Sequence, residues 1–137
     1  MKLSAKGKYG LNAMYYLALK KDDELLTLKD LSKKTSVTQP YLEKILGILR
    51  KKGLVKTARG VMGGYALSKH PKDITIGQIL RALESDLVFV DCAKTGKCAN
   101  ANCPNKNIFK VIYDKLNDVL DNITLQQMIE NQGVNYE

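Results

Sequence analysis

Apolar residues recur at helical spacing near the start of the chain, and they predict a first helix over residues 5–20. Ser4 precedes this stretch and can cap its free N–H groups. An acidic run at residues 22–24 ends the pattern. The stripe expected to face the core consists of Leu11, Met14, Leu17 and Ala18.

Two further helices are predicted before residue 54. Thr27 precedes a short one over residues 28–34, and residues 35–37 form a tight connection. Thr38 can cap the next helix, where Pro40 is tolerated in the first turn. Gly53 lies where a helix C-terminal glycine is expected. The predicted buried face of this third helix is Leu42, Ile45, Leu46 and Leu49.

After residue 53, the spacing of apolar residues changes from that of a helix to that of a β-strand. Residues 54–58 and 65–68 predict two paired strands, joined by a glycine-rich tip over residues 59–64. A helix, a short helix-turn-helix and a two-stranded wing, in this order, are typical of a winged helix-turn-helix domain. The sequence therefore predicts a mainly α fold with such a domain at its start.

The second half is predicted to be helical, apart from residues 85–105, which lack periodicity. Thr75 with Gln78 and Thr124 with Gln127 form capping boxes for helices over residues 76–84 and 125–130. A long helix over residues 106–121 lies between them. Its apolar stripe is Ile108, Val111, Ile112, Lys115, Leu116, Val119 and Leu120. We expect this stripe to form a dimer interface, with ordinary intramolecular packing as the alternative.

Charge divides the 137 residues in the same place. The predicted DNA-binding domain, residues 1–72, carries a net charge of +11. The predicted dimerisation region, residues 73–137, includes the cysteine-bearing loop at 85–105 and carries −3. A basic half of this kind is typical of nucleic-acid binding, and also of a lysine-rich soluble surface. An anionic membrane is disfavoured because no segment combines a basic face with a strongly apolar one.

Several other classes are disfavoured by composition. No apolar run approaches the roughly 18 residues of a membrane span, and the first residues do not resemble a secretory signal, so we expect a cytoplasmic protein. Three cysteines, all in one short stretch, do not form a disulfide framework. No acid–base pair, activated nucleophile or nucleotide-binding loop indicates an enzyme.

The candidate DNA-binding residues follow from helical geometry. Four residues are expected on the outward side of the third helix: Gln39, Tyr41, Glu43 and Lys44. There they would read bases or contact phosphates; the alternative is an ordinary solvated helix face. Arg59 and Gly60 begin the wing tip, where a guanidinium fits a narrow minor groove. Ser4, Lys6 and Lys8 are candidate phosphate contacts at the start of the first helix. Tyr9, Tyr15 and Tyr16 are expected to pack in the core or at an interface.

The three cysteines, Cys92, Cys98 and Cys103, lie within twelve residues. Thiolates select soft metal centres, so a metal ion or iron–sulfur cluster is the favoured interpretation. Thiol redox sensing and incidental residues are the alternatives. A Cys-x2-Cys pair, usual for zinc, is absent, which favours a cluster. The single histidine, His70, is expected on the surface.

These features resemble the IscR-like iron–sulfur cluster-sensing winged-helix transcriptional regulators, the family that also contains the NsrR and CymR repressors. The shared segments run through nearly the whole chain. They are residues 1–9, 41–43, 49–55, 59–60, 63–65 and 122–125, together with the three cysteines.

The resemblance implies a homodimer that binds a double-stranded DNA operator. Tyr41, Glu43 and Lys44 would lie on the recognition helix and Arg59 in the wing, while the three cysteines would bind a cluster, which we expect to be [2Fe–2S] rather than [4Fe–4S]. Lys106 stands where IscR has a histidine ligand, and Lys6 and Lys8 occupy the region where NsrR has an aspartate. The fourth ligand is therefore open among Asp91, Asn105, Asn107 and a group of the partner subunit.

Two functions follow. The first is a regulator, expected to be a repressor, of iron–sulfur cluster assembly or cysteine-supply genes under cluster control. The second is a cysteine-metabolism repressor controlled by a partner enzyme from cysteine or cluster biosynthesis, with the cysteines as a redox or zinc site.

Overall fold

The computed structural model describes residues 2–20, 24–60, 63–85, 87–88, 90–96 and 100–131. Helices α1 (Ala5–Ala18), α2 (Leu28–Thr35) and α3 (Gln39–Lys51) are followed by strands β1 (Val55–Ala58) and β2 (Gly64–Leu67). A 3-10 turn (Pro71–Asp73) leads to α4 (Ile76–Leu83), α5 (Asp91–Thr95), α6 (Lys106–Asn122) and α7 (Leu125–Glu130). The mainly helical fold with a two-stranded wing is confirmed.

Local capping explains where most of these helices begin. The Ser4 hydroxyl accepts from the Gly7 N–H at 3.2 Å and starts α1, as predicted. Thr27 forms a reciprocal capping box with Asp30 at the start of α2. The boxes predicted at Thr75 and Thr124 are also formed. Thr38 occupies the N-cap position of α3 but makes no capping hydrogen bond with its side chain, contrary to expectation.

The helix-turn-helix and the wing are joined by short connections. Ser36 takes the left-handed conformation between α2 and α3, at φ 57°. Gly53 takes it after α3, at φ 77°, as a C-terminal glycine should. Strands β1 and β2 pair antiparallel, with Val55 opposite Leu67 and Ala58 opposite Gly64. Leu26, just before α2, extends this sheet through two backbone hydrogen bonds with Tyr65, of 3.0 and 2.7 Å.

One apolar core joins α1, α2, α3 and β1 to α4 and α7. The predicted inward face of α3 is entirely buried. On α4, Ile79, Leu80 and Leu83 are buried, whereas Ile76 is half-exposed. We call this assembly, without α5 and α6, the head. The largest fully buried side chains are Met14, Leu31, Leu42, Ile45, Leu46, Leu49, Ile74, Ile79, Leu83 and Leu125.

Helix α6 leaves the head on one side but is tied to it at its C-terminal end. The Ile76 N–H donates to the Ile123 carbonyl, and the Leu125 N–H donates to the Ile74 carbonyl, each at 2.8 Å. None of the 17 residues of α6 is fully buried. No helix in the described part of the chain is both long and apolar enough to span a membrane.

Candidate nucleic-acid interface and cysteine loop

The outward face of α3 carries the predicted base-reading residues. Gln39, Glu43 and Lys44 are exposed, and Tyr41 is half-buried against the core. The opposite face of the same helix is fully buried, so these side chains are held on a rigid element. An exposed N-terminal half on the second helix of a helix-turn-helix is the geometry that places side chains against base edges in the major groove.

The wing lies close to this face of α3. Burial raises the pKa of the Tyr65 phenol on β2, and the Glu43 carboxylate raises it further, whereas Arg50 opposes this effect. Helix α3 also contacts β1, so the wing is a direct neighbour of this helix.

Arg59 is exposed at the base of the wing tip. Gly60 follows with φ 105°, a conformation that disfavours any side chain, and its carbonyl accepts from the Gly63 N–H at 2.9 Å. The remaining tip residues, Val61 and Met62, lie outside the described residues. The arginine therefore stands exposed at the edge of the wing tip.

The start of α1 differs from a simple anion site. Both the N–H and the hydroxyl of Ser4 donate to one carboxylate oxygen of Glu84, at 2.9 and 2.6 Å. A carboxylate is thus already present at this helix N-terminus, while Lys6 is half-exposed and Lys8 exposed nearby. Sequence reasoning missed Glu84 because 80 residues separate it from Ser4 and no local pattern joins them.

The cysteine loop contains one element that the sequence did not predict. Cys92 lies within the short helix α5, which packs on α6, and Ala93 is its buried residue. Cys103 comes just before α6, and its carbonyl accepts from the Lys106 N–H at 3.3 Å. Both cysteines are half-buried and carry free thiols. Cys98 lies outside the described residues.

A pocket of about 300 Å³ opens beside Cys92, between α5 and α6. Its other lining residues are Ala93, Lys94, Thr95, Gly96, Lys106, Asn107, Lys110, Tyr113 and Asp114. Lysines make this pocket basic, and Lys110 pairs with Asp114 at 2.7 Å. Within the described ranges, no three His, Cys, Asp or Glu side chains are grouped to hold a metal ion. Of the candidate fourth ligands, Asp91, Asn105 and Asn107 are all exposed.

The apolar stripe of α6 faces away from the head. Ile108, Val111, Ile112 and Val119 are between 43 and 53% exposed, an unusual exposure for four large apolar side chains on one helix. Leu116 and Leu120 are half-buried, and Lys115 is exposed. Leu116 and Leu120 are therefore partly covered by this chain, whereas the four more exposed apolar side chains of the stripe are largely uncovered.

Helix α4 connects α6 to the head through side chains as well as backbone. Arg81 pairs with Asp121, and its second nitrogen donates to the Asn117 amide oxygen at 2.7 Å. One turn later, Glu84 holds Ser4 at the start of α1. One short helix therefore contacts both the element that leads to the cysteine loop and the first helix of the head.

Comparison with known proteins agrees with this arrangement. The sequence profile of the Rrf2 family, described as an iron-dependent transcriptional regulator, matches residues 3–131. The HTH-type transcriptional regulator IscR of Pectobacterium atrosepticum is 32% identical over 135 residues, which are 98% of this chain and 82% of the relative. IscR of Escherichia coli is 33% identical, with coverages of 98% and 83%.

Solved structures give the same result. CymR, the global cysteine regulator of B. subtilis, superposes with a TM-score of 0.84 at 33% identity and covers 96% of this chain and 98% of its own. IscR of T. potens superposes with a TM-score of 0.76 at 35% identity, with coverages of 99% and 94%.

Proposed function

This chain belongs to the Rrf2 family of DNA-binding transcriptional regulators, and we propose that it is a repressor controlled by an iron–sulfur cluster bound by Cys92, Cys98 and Cys103. Its targets in this proposal are genes of iron–sulfur cluster assembly or cysteine supply, and its compartment is the cytoplasm, where thiols stay reduced. The observation that carries the proposal is the cysteine-bearing helix α5 packed on α6, a helix that is tied to the head.

The donor set suits such a cluster. Cys92 and Cys103 are half-buried free thiols at the two ends of one loop, and thiolate is the ligand that iron–sulfur clusters require. Lysines around the pocket beside Cys92 would offset the negative charge of ligated thiolates. When bound, the cluster would supply electron transfer and ligand exchange that respond to iron supply and oxidants.

We propose a [2Fe–2S] centre with one ligand besides the three cysteines. Asp91 and Asn105 flank the described cysteines, and Asn107 lines the pocket with Cys92. Carboxylate and amide oxygens can donate to iron, whereas a protonated Lys106 has no free electron pair. A group of the partner subunit is the remaining candidate.

The DNA contacts proposed for this function come from α3, the wing and the start of α1. The side chains of Gln39, Tyr41, Glu43 and Lys44 would enter the major groove, and Arg59 with Gly60 would approach the minor groove. Lys6 would add a phosphate contact, and Ser4 would add one by exchanging its hydrogen bonds to Glu84 for a phosphate oxygen. A homodimer formed through α6 would present two copies of this surface to a two-fold operator.

The chain's own contacts offer a route from the cysteine loop to DNA. Displacement of α5 would act on α6, and α6 is held to the head by the pair of Arg81 with Asp121 and by the backbone bond from Ile76 to Ile123. In a dimer, a small change at α6 alters the spacing or tilt of the two heads. An effector can bias such a change only if it has different affinities for the two arrangements.

Anaerobic purification tests the proposal. We expect a coloured protein with visible charge-transfer absorption and about two irons and two sulfides per chain, the content of a [2Fe–2S] centre. Cys92→Ala and Cys103→Ala should lose the colour, whereas Ser68→Ala, an exposed change on the wing, should keep it. A colourless anaerobic protein would rule out the cluster while leaving DNA binding intact.

A second candidate function is a cysteine-metabolism repressor controlled by a partner enzyme from cysteine or cluster biosynthesis. It is supported by the structural likeness to CymR, which superposes with a TM-score of 0.84 for the B. subtilis protein and 0.76 for the oxidised S. aureus protein, the latter equal to IscR from T. potens. In this case the cysteines serve as a redox or zinc site. Zinc in the purified protein, or a reversible thiol oxidation without iron, would favour this function over the first.

A further inference from the structure

An aromatic pair joins α1 to the recognition surface. The rings of Tyr9 on α1 and Tyr41 on α3 meet edge to face, with centroids 6.0 Å apart and planes at 89°. Tyr9 is 37% exposed, whereas Tyr41 is half-buried against the core. Of the two expectations for Tyr9, core or interface packing, full burial in the core does not hold, because much of its ring remains at the surface beside the first turn of α3.

The contact matters for recognition because of where Tyr41 lies. Tyr41 stands in the first turn of α3, between Gln39 and the exposed residues Glu43 and Lys44. A side chain that reads base edges is effective only when its orientation is fixed before binding, because ordering it at the moment of binding costs affinity. Tyr9 is the ring packed edge-on against Tyr41, and it comes from a different helix of the same rigid core.

We propose that Tyr9 is a positioning residue for operator recognition, which acts by holding the Tyr41 ring in its base-reading orientation. The inference rests on the proposed role of α3 in reading DNA. Edge-to-face packing requires the Tyr9 ring but not its hydroxyl. The expected effect is on sequence discrimination, since affinity for arbitrary DNA arises mainly from lysine and arginine contacts to phosphates.

The test uses two DNA probes and the full-length protein. One probe is a duplex selected from a random pool by the wild-type protein, here called the selected duplex, and the other is a scrambled duplex of equal length. Affinities are measured for wild type, Tyr9→Phe, Tyr9→Ala, Tyr41→Ala and the Tyr9→Ala/Tyr41→Ala double variant. Tyr15→Ala is the matched control, since the edge-to-face contact that it removes is with Tyr16 on the same helix rather than with a ring of α3.

We expect Tyr9→Ala to weaken binding to the selected duplex about tenfold, the scale of losing one aromatic contact in each half-site, and to leave the scrambled duplex within about twofold. Tyr9→Phe and Tyr15→Ala should stay within about twofold of wild type on both probes. The double variant should bind no more weakly than Tyr41→Ala alone, because Tyr9 acts through Tyr41.

Three outcomes would overturn the proposal, and they point to different causes. If Tyr9→Phe loses as much as Tyr9→Ala, the hydroxyl contacts DNA directly and the ring does not act by positioning. If Tyr9→Ala weakens both probes equally, its effect is on folding or on phosphate contacts, and thermal unfolding distinguishes these. If Tyr41→Ala changes nothing, α3 does not read DNA through Tyr41, and that part of the proposed function fails as well.

Discussion

Two glycines inside helices have opposite surroundings. A Cβ at Gly10 of α1 would overlap a methyl of Leu83, which is only 2% exposed and cannot easily move, and would lie 3.3 Å from Ile45 Cγ2. A Cβ at Gly47 of α3 would meet nothing within 4 Å. Helix propensity favours alanine equally at both positions, so the difference between them reports packing alone.

We therefore expect opposite signs for the same substitution. Gly10→Ala should lower the free energy of unfolding by about 1–3 kcal/mol through overpacking. Gly47→Ala should raise it by up to about 1 kcal/mol, because alanine restricts the unfolded chain and favours helix. Denaturant unfolding of both variants gives the comparison. Equal effects at the two sites would contradict the close approach of α1 and α4.

Arg59 is the residue whose removal should most directly report on the wing. Arg59→Ala should weaken binding to the selected duplex about tenfold, since one well-placed arginine contact contributes on the order of 1–3 kcal/mol. Lys72→Ala removes the same charge from the exposed 3-10 turn after the wing, and it should change the affinity by less than about threefold. Titrations at one fixed salt concentration make the comparison. Equal losses would mean that only total charge matters.

At the scale of elements, α6 has an apolar face that its own chain leaves exposed. Ile112→Glu should dissociate the proposed homodimer, because it places a carboxylate in the centre of the exposed stripe, whereas Ile112→Leu should leave it intact. Sedimentation velocity at micromolar protein checks both variants. A wild-type monomer, or a dimer that tolerates the glutamate, would contradict dimerisation through this face.

A helix could be predicted from the sequence when the residues that start it lie close together in the chain. The starts of α4 and α7 follow from a threonine and a glutamine three residues apart, so Thr75 and Thr124 marked them correctly. Helix α5 has no such mark: Val90 at its N-cap makes no side-chain hydrogen bond, and the helix is held by packing of Ala93 near α6. Tertiary contact, absent from any sequence window, decides that element.

The contacts that connect elements were hidden for the same reason. Ser4 and Glu84 are 80 positions apart, and Arg81 and Asp121 are 40 apart. Tyr9 and Tyr41 likewise meet only after α1 and α3 have packed. Residue type and helical face were enough to propose which side chains reach DNA, but not which neighbours orient them.

At the scale of the whole molecule, the first 72 residues carry a net charge of +11 against −3 for the rest. Binding to DNA should therefore weaken steeply with salt. For six to ten phosphate contacts in a dimer, the loss between 50 and 200 mM salt is about 10³- to 10⁵-fold. Lys6→Ala should reduce the slope of log affinity against log salt by about one per bound half-site, while Lys106→Ala beside the cysteine loop should not change it. A shallow slope in the wild type would argue against phosphate-dominated binding.

Two backbone hydrogen bonds hold the far end of α6 and the start of α7 against the chain around Ile74. The Ile76 amide becomes exposed to solvent when Ile123 separates from the start of α4, and the Leu125 amide when α7 separates from Ile74; Leu125 and Ile74 are both fully buried. Their hydrogen exchange should therefore be as slow as that of the core of the head. The first turns of α6, next to the cysteines, pack on the short helix α5 rather than on the head, and their amides should exchange faster than those at the far end. One continuous helix would thus belong to two cooperative units, with the boundary along its length.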